Sequence, residues 1–255
     1  MPYLIKFNLQ FLESSVEESS KFVPRNVGEH IYSLILKFIN YSDSSLAEQI
    51  HEKHGIKPIS IWAKYDEHNL LCSVGALEEC VKDALERTLI KFSSEARRVV
   101  LAGRGALVKY SEDIVSEKFE DILKFSDDER IVGLKFETPT SFRQKGRQVI
   151  FPIPYLVFGS LVKKWNAFSP IKFQFPKEIA DKIMVSRYRL STKTINFTNA
   201  PIKGFMGDVF YSLHRISVPT RKLVVALCSF AEFCGVGYKT TMGMGKVKFL
   251  NNKVR

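Results

Sequence analysis

The stretch LVVALCSFAEFCGVGYKTTMGMGKVKFL, Leu223 to Leu250, decides the fold by the order of its parts. Its apolar opening, LVVALCSFAEFCG, reads as a helix that stops at Gly235, and KVKFL at its end alternates like a strand. Between the two lie Gly235, Gly237, Gly243 and Gly245, spaced among lysines. A dinucleotide-binding turn has the opposite order, with the strand before the glycines and the helix after them. A Walker loop needs Ser or Thr after its Gly-Lys, and here Val247 follows Gly245 and Lys246. Both nucleotide readings fall away. What remains is a helix, a glycine-rich connection and a terminal strand, with backbone N–H groups, Lys239, Thr240 and Lys246 available to an anion. An ordinary flexible connection is the alternative reading.

Outward from this stretch the pattern repeats. A strand at 131–137, the loop TPTSFRQKGRQ, a helix near 154–167, strands about 181–199 and 201–215, and the helix at 219–234 precede the last strand, which makes β-α-β-β-α-β. The first half has the same order. YLIKFNLQF alternates as a half-buried strand, and a helix over about 27–40 carries Ile31, Leu34, Ile35, Phe38 and Ile39 on one face, with Tyr32 beside them. SDSSLAEQIHEKHG then predicts a short helix with N-cap candidates at Asp43 to Ser45, Glu48 at capping-box distance from Ser45, and an end at Gly55, so that His51 falls near its C-terminus. Strands at 58–65 and 69–75, a helix at 76–92 and strand material near 97–110 complete the unit. The expectation is an α+β protein of tandem ferredoxin-like domains with two four-stranded antiparallel sheets. The acidic stretch KYSEDIVSEKFEDILKFSDDER links a domain at 1–130 to one at 131–255.

Charge divides at the same point. Of 255 residues, the first 130 hold 17 Lys+Arg against 22 Asp+Glu, a net −5, whereas 131–255 hold 21 against 5, a net +16. A half this basic calls for a polyanion, and a phosphate backbone is the favoured one over an anionic membrane, because no basic amphipathic helix is present to lie in a bilayer. The longest late apolar run, Leu223 to Ala231, is far short of a membrane span. Cys72, Cys80, Cys228 and Cys234 form no C-x-x-C pair and sit in apolar segments that read as buried, so neither a zinc site nor a disulfide framework is indicated. A soluble protein of a reduced, cytoplasmic compartment is expected, with no cofactor.

The sequence HEKHG has one residue too few for the H-E-x-x-H of zinc proteases, and no G-x-S-x-G elbow occurs. Metal-free cleavage of RNA asks for less: a base for the ribose 2′-OH, an acid for the 5′-O leaving group, and positive charge for the transition state. His51 can act as acid or base, Lys57 can supply charge and Tyr32 can orient either. Capping or solvation is the alternative for a histidine at a helix end. In the second half, KGFMGDVFY begins at Lys203 like an RNA-recognition strand. TPTSFRQKGRQ sets Arg143, Lys145 and Arg147 around Gly146, with Phe142 offering a base-stacking face; a solvated loop is the other reading.

Over most of the chain these segments resemble the CRISPR-associated endoribonucleases that cut precursor CRISPR RNA within each repeat. The pattern G-h-G-x5-G-x-G formed by Gly235, Gly237, Gly243 and Gly245 is similar to that family's glycine-rich loop, and TPTSFRQKGRQ, PYLVFGSLVKKWN and IKGFMGDVFY are similar to successive family segments. The resemblance implies tandem ferredoxin-like folds, a role in antiviral defence, and metal-independent cleavage that leaves a 5′-OH and a cyclic or 3′ phosphate. It sets the family's tyrosine on Tyr32 in EHIYSLI, its histidine on His51 in LAEQIHEKHG and its lysine on Lys57 in GIKP. His54 offers a second imidazole. RNA contacts are expected from Arg143, Lys145, Arg147, Lys203, Lys239, Thr240, Lys246 and the four loop glycines. Implied partners are CRISPR repeat RNA, a CRISPR effector complex or a second copy in a homodimer, and no membrane. The rival reading is a non-catalytic RNA-binding subunit of a CRISPR ribonucleoprotein, which would not need His51.

Overall fold

The alternation in YLIKFNLQF builds the centre of the first sheet. In β1 (Tyr3–Phe11) the side chains of Tyr3, Ile5, Phe7 and Leu9 are buried, while Lys6, Asn8 and Gln10 point to the other face and are exposed. The structure is a computed structural model and describes residues 1–12, 27–66, 69–124 and 128–250. After β1 come α1 (Val27–Ser42), α2 (Ser44–Glu52), β2 (Ile59–Asp66), β3 (Asn69–Ala76), α3 (Glu79–Ser94), β4 (Arg98–Leu101) and β5 (Arg104–Lys109). The sheet runs β2-β3-β1-β5-β4, all antiparallel. Its first four members have the strand order of a ferredoxin-like unit.

The first sheet is wider than four strands. What reads in sequence as one stretch near 97–110 is a hairpin, because Ala102 and Gly103 both take positive φ, 50° and 83°, and reverse the chain. The acidic link adds a short β6 (Ile114–Ser116), which pairs with the start of β1, and α4 (Phe119–Lys124). The sheet therefore has six strands.

The second unit comprises β7 (Ile131–Thr140), the small hairpin β8 (Phe142–Gln144) and β9 (Arg147–Val149), α5 (Pro154–Phe168), a turn of helix α6 (Lys177–Ala180), β10 (Met184–Asn196), β11 (Pro201–Ser212), α7 (Val218–Cys234) and β12 (Val247–Leu250). Its four-stranded sheet runs β10-β11-β7-β12, again antiparallel and again in ferredoxin-like order. The loop TPTSFRQKGRQ is thus partly a hairpin, turned by Lys145 and Gly146 at positive φ.

Two cores result, one beneath each sheet. Helix α7 has buried residues on nearly all sides, from Val224 through Cys234, because its far end also meets the first unit. There the Ser60 hydroxyl donates to the Phe233 carbonyl at 2.6 Å, and a Cβ on Gly75 would stand 1.8 Å from that same oxygen. Glycine at 75 is what lets β3 and α7 touch. Among the described residues no helix is long and apolar enough to cross a membrane.

Candidate functional site

Helix α2 begins at Asp43, whose carboxylate accepts the Leu46 N–H at 2.9 Å. The capping box expected from Ser45 and Glu48 does not form; Ser45 instead accepts from the Gln49 amide at 3.2 Å. The helix ends at Lys53, just after His51, which is exposed. Lys57 returns to this end. Its ammonium donates to the carbonyls of Ile50 and His51, the latter at 2.8 Å, and so satisfies two acceptors that the last turn of a helix leaves open. The same ammonium lies 5.9 Å from the centre of the Tyr32 ring.

Tyr32, the turn of His51 and Lys57 therefore converge, although they span α1, α2 and the loop before β2. Burial, and after it the charge of Lys53, hold Lys57 below the ordinary lysine value. Burial raises the Tyr32 hydroxyl, so that group stays protonated and can donate. His54 lies beyond the helix end and is exposed. The C-terminal end of α2 also reaches the second unit, where the Lys53 ammonium sits 5.2 Å from the Phe168 ring centre.

The glycine-rich segment is close-packed against protein. All four glycines have positive φ, between 65° and 88°. A Cβ on Gly235 would lie 2.9 Å from the Gly245 carbonyl oxygen, one on Gly237 2.5 Å from that of Ser141, and one on Gly245 2.1 Å from that of Val236. Gly243 faces Gly28 of α1, and a Cβ on Gly28 would meet the Met242 carbonyl oxygen at 2.0 Å. The missing side chains thus serve a folded loop locked to the helix that carries Tyr32.

Lys164, absent from the expectations, anchors this loop. Its ammonium, buried in α5, donates to the carbonyls of Cys234 and Gly235 at 2.7 and 2.9 Å and to the Thr240 hydroxyl at 3.0 Å. Burial lowers its pKa to about 8. The signal was present in its spacing, seven residues after Val157 and three after Leu161, on the buried stripe of the helix.

The expected RNA contacts separate by burial. Arg143, Lys145, Arg147 and Lys203 are exposed, and the Arg143 guanidinium stacks 4.5 Å from the Tyr238 ring centre, joining the hairpin to the loop. Gly237, Lys239, Gly243 and Lys246 are half-buried. The Lys239 ammonium rests 4.1 Å from the Phe197 ring centre, and Lys246 pairs with Glu137 at 3.6 Å. Gly235, Gly245 and Thr240 are buried, with the Thr240 hydroxyl taken by Lys164, which sets them behind the surface. Phe142 offers no stacking face, because it packs in the core with Phe205. Phe205, the aromatic of the K-G-F sequence, is 1 % exposed and equally inaccessible to a base. Cys80 is exposed, contrary to its apolar context; the other three cysteines are buried.

A cleft of about 970 Å³ opens between the two sheets. Lys6 and Lys64 line it from the first unit, and Lys135, Lys193 and Lys246 from the second. These lysines are scattered over several strands, and their common facing emerges only from the packing of the two sheets. Among the described residues no group of three or more His, Cys, Asp or Glu side chains could hold a metal ion.

The geometry defines a tandem ferredoxin-like protein whose last glycine-rich segment locks onto its first long helix, with Lys57 lying between the Tyr32 ring and the backbone of the turn that carries His51. Residues 134–247 match the sequence profile of the family described as CRISPR-associated endoribonuclease Cas6. A Cas6 endoribonuclease of Streptococcus thermophilus is 27% identical over 146 residues, 56% of this chain and 60% of that protein. One from Mycobacterium tuberculosis is 31% identical over 134 residues, 51% and 42% respectively. The chain thus matches about half the length of these curated relatives. Among solved structures, a Thermus thermophilus Cas6 in a product complex superposes with a TM-score of 0.81 at 21% identity, over 98% of this chain and 100% of the other. A Cas6 substrate mimic complex gives 0.70 at 21%, over 97% and 99%. At these identities the structural likeness establishes the fold. The resemblance to the CRISPR-associated endoribonuclease family is borne out, in sequence over about half of the chain and in fold over nearly all of it.

Proposed function

We propose that this protein is an endoribonuclease that cuts precursor CRISPR RNA within its repeats, without a metal, by attack of the ribose 2′-OH on the adjacent phosphate. The observation that carries the reading is the contact of Lys57 with both the Tyr32 ring and the backbone of the His51 turn. Three residue types able to run this chemistry gather on the unit opposite the basic one, at a helix end that reaches across to it.

In this mechanism His51 moves the proton, as base for the 2′-OH or acid for the 5′-O, which makes a 5′-OH and a 2′,3′-cyclic phosphate, or a 3′ phosphate after hydrolysis. Lys57 stabilises charge on the non-bridging oxygens, and the protonated Tyr32 hydroxyl orients the group beside it. Exposure of Arg143, Lys145, Arg147 and Lys203, together with the lysines of the cleft, supports a phosphate path across the second unit. The division into a catalytic part, residues 1–130, and an RNA-holding part, 131–255, follows from this assignment. A cytoplasmic site of action follows from the substrate.

The test is single-turnover cleavage of CRISPR repeat RNA in the presence of a chelator. Wild-type protein cuts; His51→Ala slows cutting by about 10²–10⁴-fold with RNA affinity little changed, and His54→Ala is nearly silent. Activity that vanishes in chelator and returns with magnesium overturns the mechanism, and a wild-type protein that binds repeat RNA without ever cutting it establishes the binding-subunit reading instead.

A further inference from the structure

A second concavity, of about 380 Å³, opens on α5 beside the glycine-rich segment and apart from Tyr32, His51 and Lys57. Its lining includes Tyr155, Phe175 and Tyr238, the cations Arg143 and Lys163, and Gly159 of α5. Among the described residues, no acidic side chain lines it. Tyr155 is exposed, and the Arg143 guanidinium already stacks on the Tyr238 ring.

Gly159 is the telling position. It sits inside α5, where glycine is less favourable than alanine, with ordinary helical φ, and a Cβ added there would find nothing within 4 Å. Packing gives no reason for glycine here, in contrast to the glycines of the neighbouring loop. Its bare backbone leaves that side of the pocket open.

An aromatic lining, two cations and no carboxylate describe a receptor for something planar that also carries negative charge. We propose that this pocket takes one unpaired nucleotide of the RNA substrate, its base laid against the exposed Tyr155 ring and its phosphate held by Lys163 and by Arg143, which Tyr238 supports from behind. The proposal rests on the RNA-processing reading and adds to it a site away from the cleavage chemistry, specific for a nucleotide outside any duplex.

Gly159→Leu tests it, because leucine fits the helix and fills that side of the pocket, and Tyr155→Ala removes the stacking ring; melting temperature checks that both variants fold. The probes are a short fluorescent oligouridylate, the matching oligoadenylate and an RNA duplex of the same length, read by anisotropy. Each variant should bind the single strands about tenfold more weakly, the size of one base–aromatic stack, and the duplex as well as wild type does. Equal affinity of both variants and wild type for the single strands overturns the pocket and leaves the RNA-processing reading standing, as does equal weakening on duplex and single strand. Failure of wild type to bind any of these RNAs or repeat RNA removes the reading and the pocket together.

Discussion

Lys57 and Lys164 show how two lysines in one protein serve different ends. Lys57 closes the end of α2 through two backbone carbonyls and leaves its charge near Tyr32. Its removal should both weaken transition-state stabilisation and loosen the turn that carries His51, so Lys57→Ala lowers kcat and also loosens binding. Lys164 is buried among three loop acceptors, and its pKa of about 8 lies below the ordinary 10.5. Between those values the unfolded chain binds more protons than the folded one, so stability contributed through this group rises with pH across that window. Melting temperatures measured from about pH 7.5 to 10 should therefore climb for wild type relative to Lys164→Met. Parallel curves for the two proteins would show that the ammonium is not held under this penalty.

At the scale of elements, the seam between α1 and the glycine-rich segment is the tightest link between the two halves near Tyr32. A methyl on Gly28 would stand 2.0 Å from the Met242 carbonyl oxygen, an obstacle of backbone that cannot rotate away. Gly28→Ala should cost about 1–3 kcal/mol, as overpacking does, and should slow cleavage by displacing α1. Gly159→Ala, on a helix with open space, should instead stabilise by up to about 1 kcal/mol. Chemical denaturation of both variants reads the contrast, and stabilisation by Gly28→Ala would contradict the seam.

The same elements show what was legible in advance. α1, α2, α5 and α7 were readable because their apolar residues recur at helical spacing and the ends of the last three carry Asp43, Pro154, Pro219 and Gly235. The β4–β5 and β8–β9 hairpins were not, since one turns at Ala102, a residue with no sequence preference for positive φ, and the other has strands of three residues. Tyr32, His51 and Lys57 could be nominated by residue type and family resemblance, yet their approach depends on how Lys57 folds back. The loop glycines were noticed as a set, while their causes, the loop's own carbonyls of Val236 and Gly245, the Ser141 carbonyl and the positive φ of Gly243, emerge only when the loop is folded. Phe142 looks like a stacking platform in a linear reading and Phe205 belongs to the K-G-F start of an RNA-recognition strand, yet both are core residues, because nothing local distinguishes the two uses.

Across the whole molecule, charge and proposed chemistry are divided between the halves. The second half carries the net +16 and the exposed hairpin cations. Neutralising Arg143, Lys145 and Arg147 should weaken binding to all RNA sequences alike and reduce the salt dependence, by about 0.7 in log–log slope for each phosphate that the protein no longer neutralises. An unchanged slope would move the phosphate path away from the β8–β9 hairpin.

The central claim is that the RNA supplies its own nucleophile at the site of Tyr32, His51 and Lys57. The direct measurement is cleavage, in chelator, of repeat RNA carrying a single 2′-deoxy sugar immediately 5′ of the scissile phosphate. The account predicts that this RNA binds with the affinity of the unmodified strand and remains uncut; cutting at the normal position and rate would contradict it.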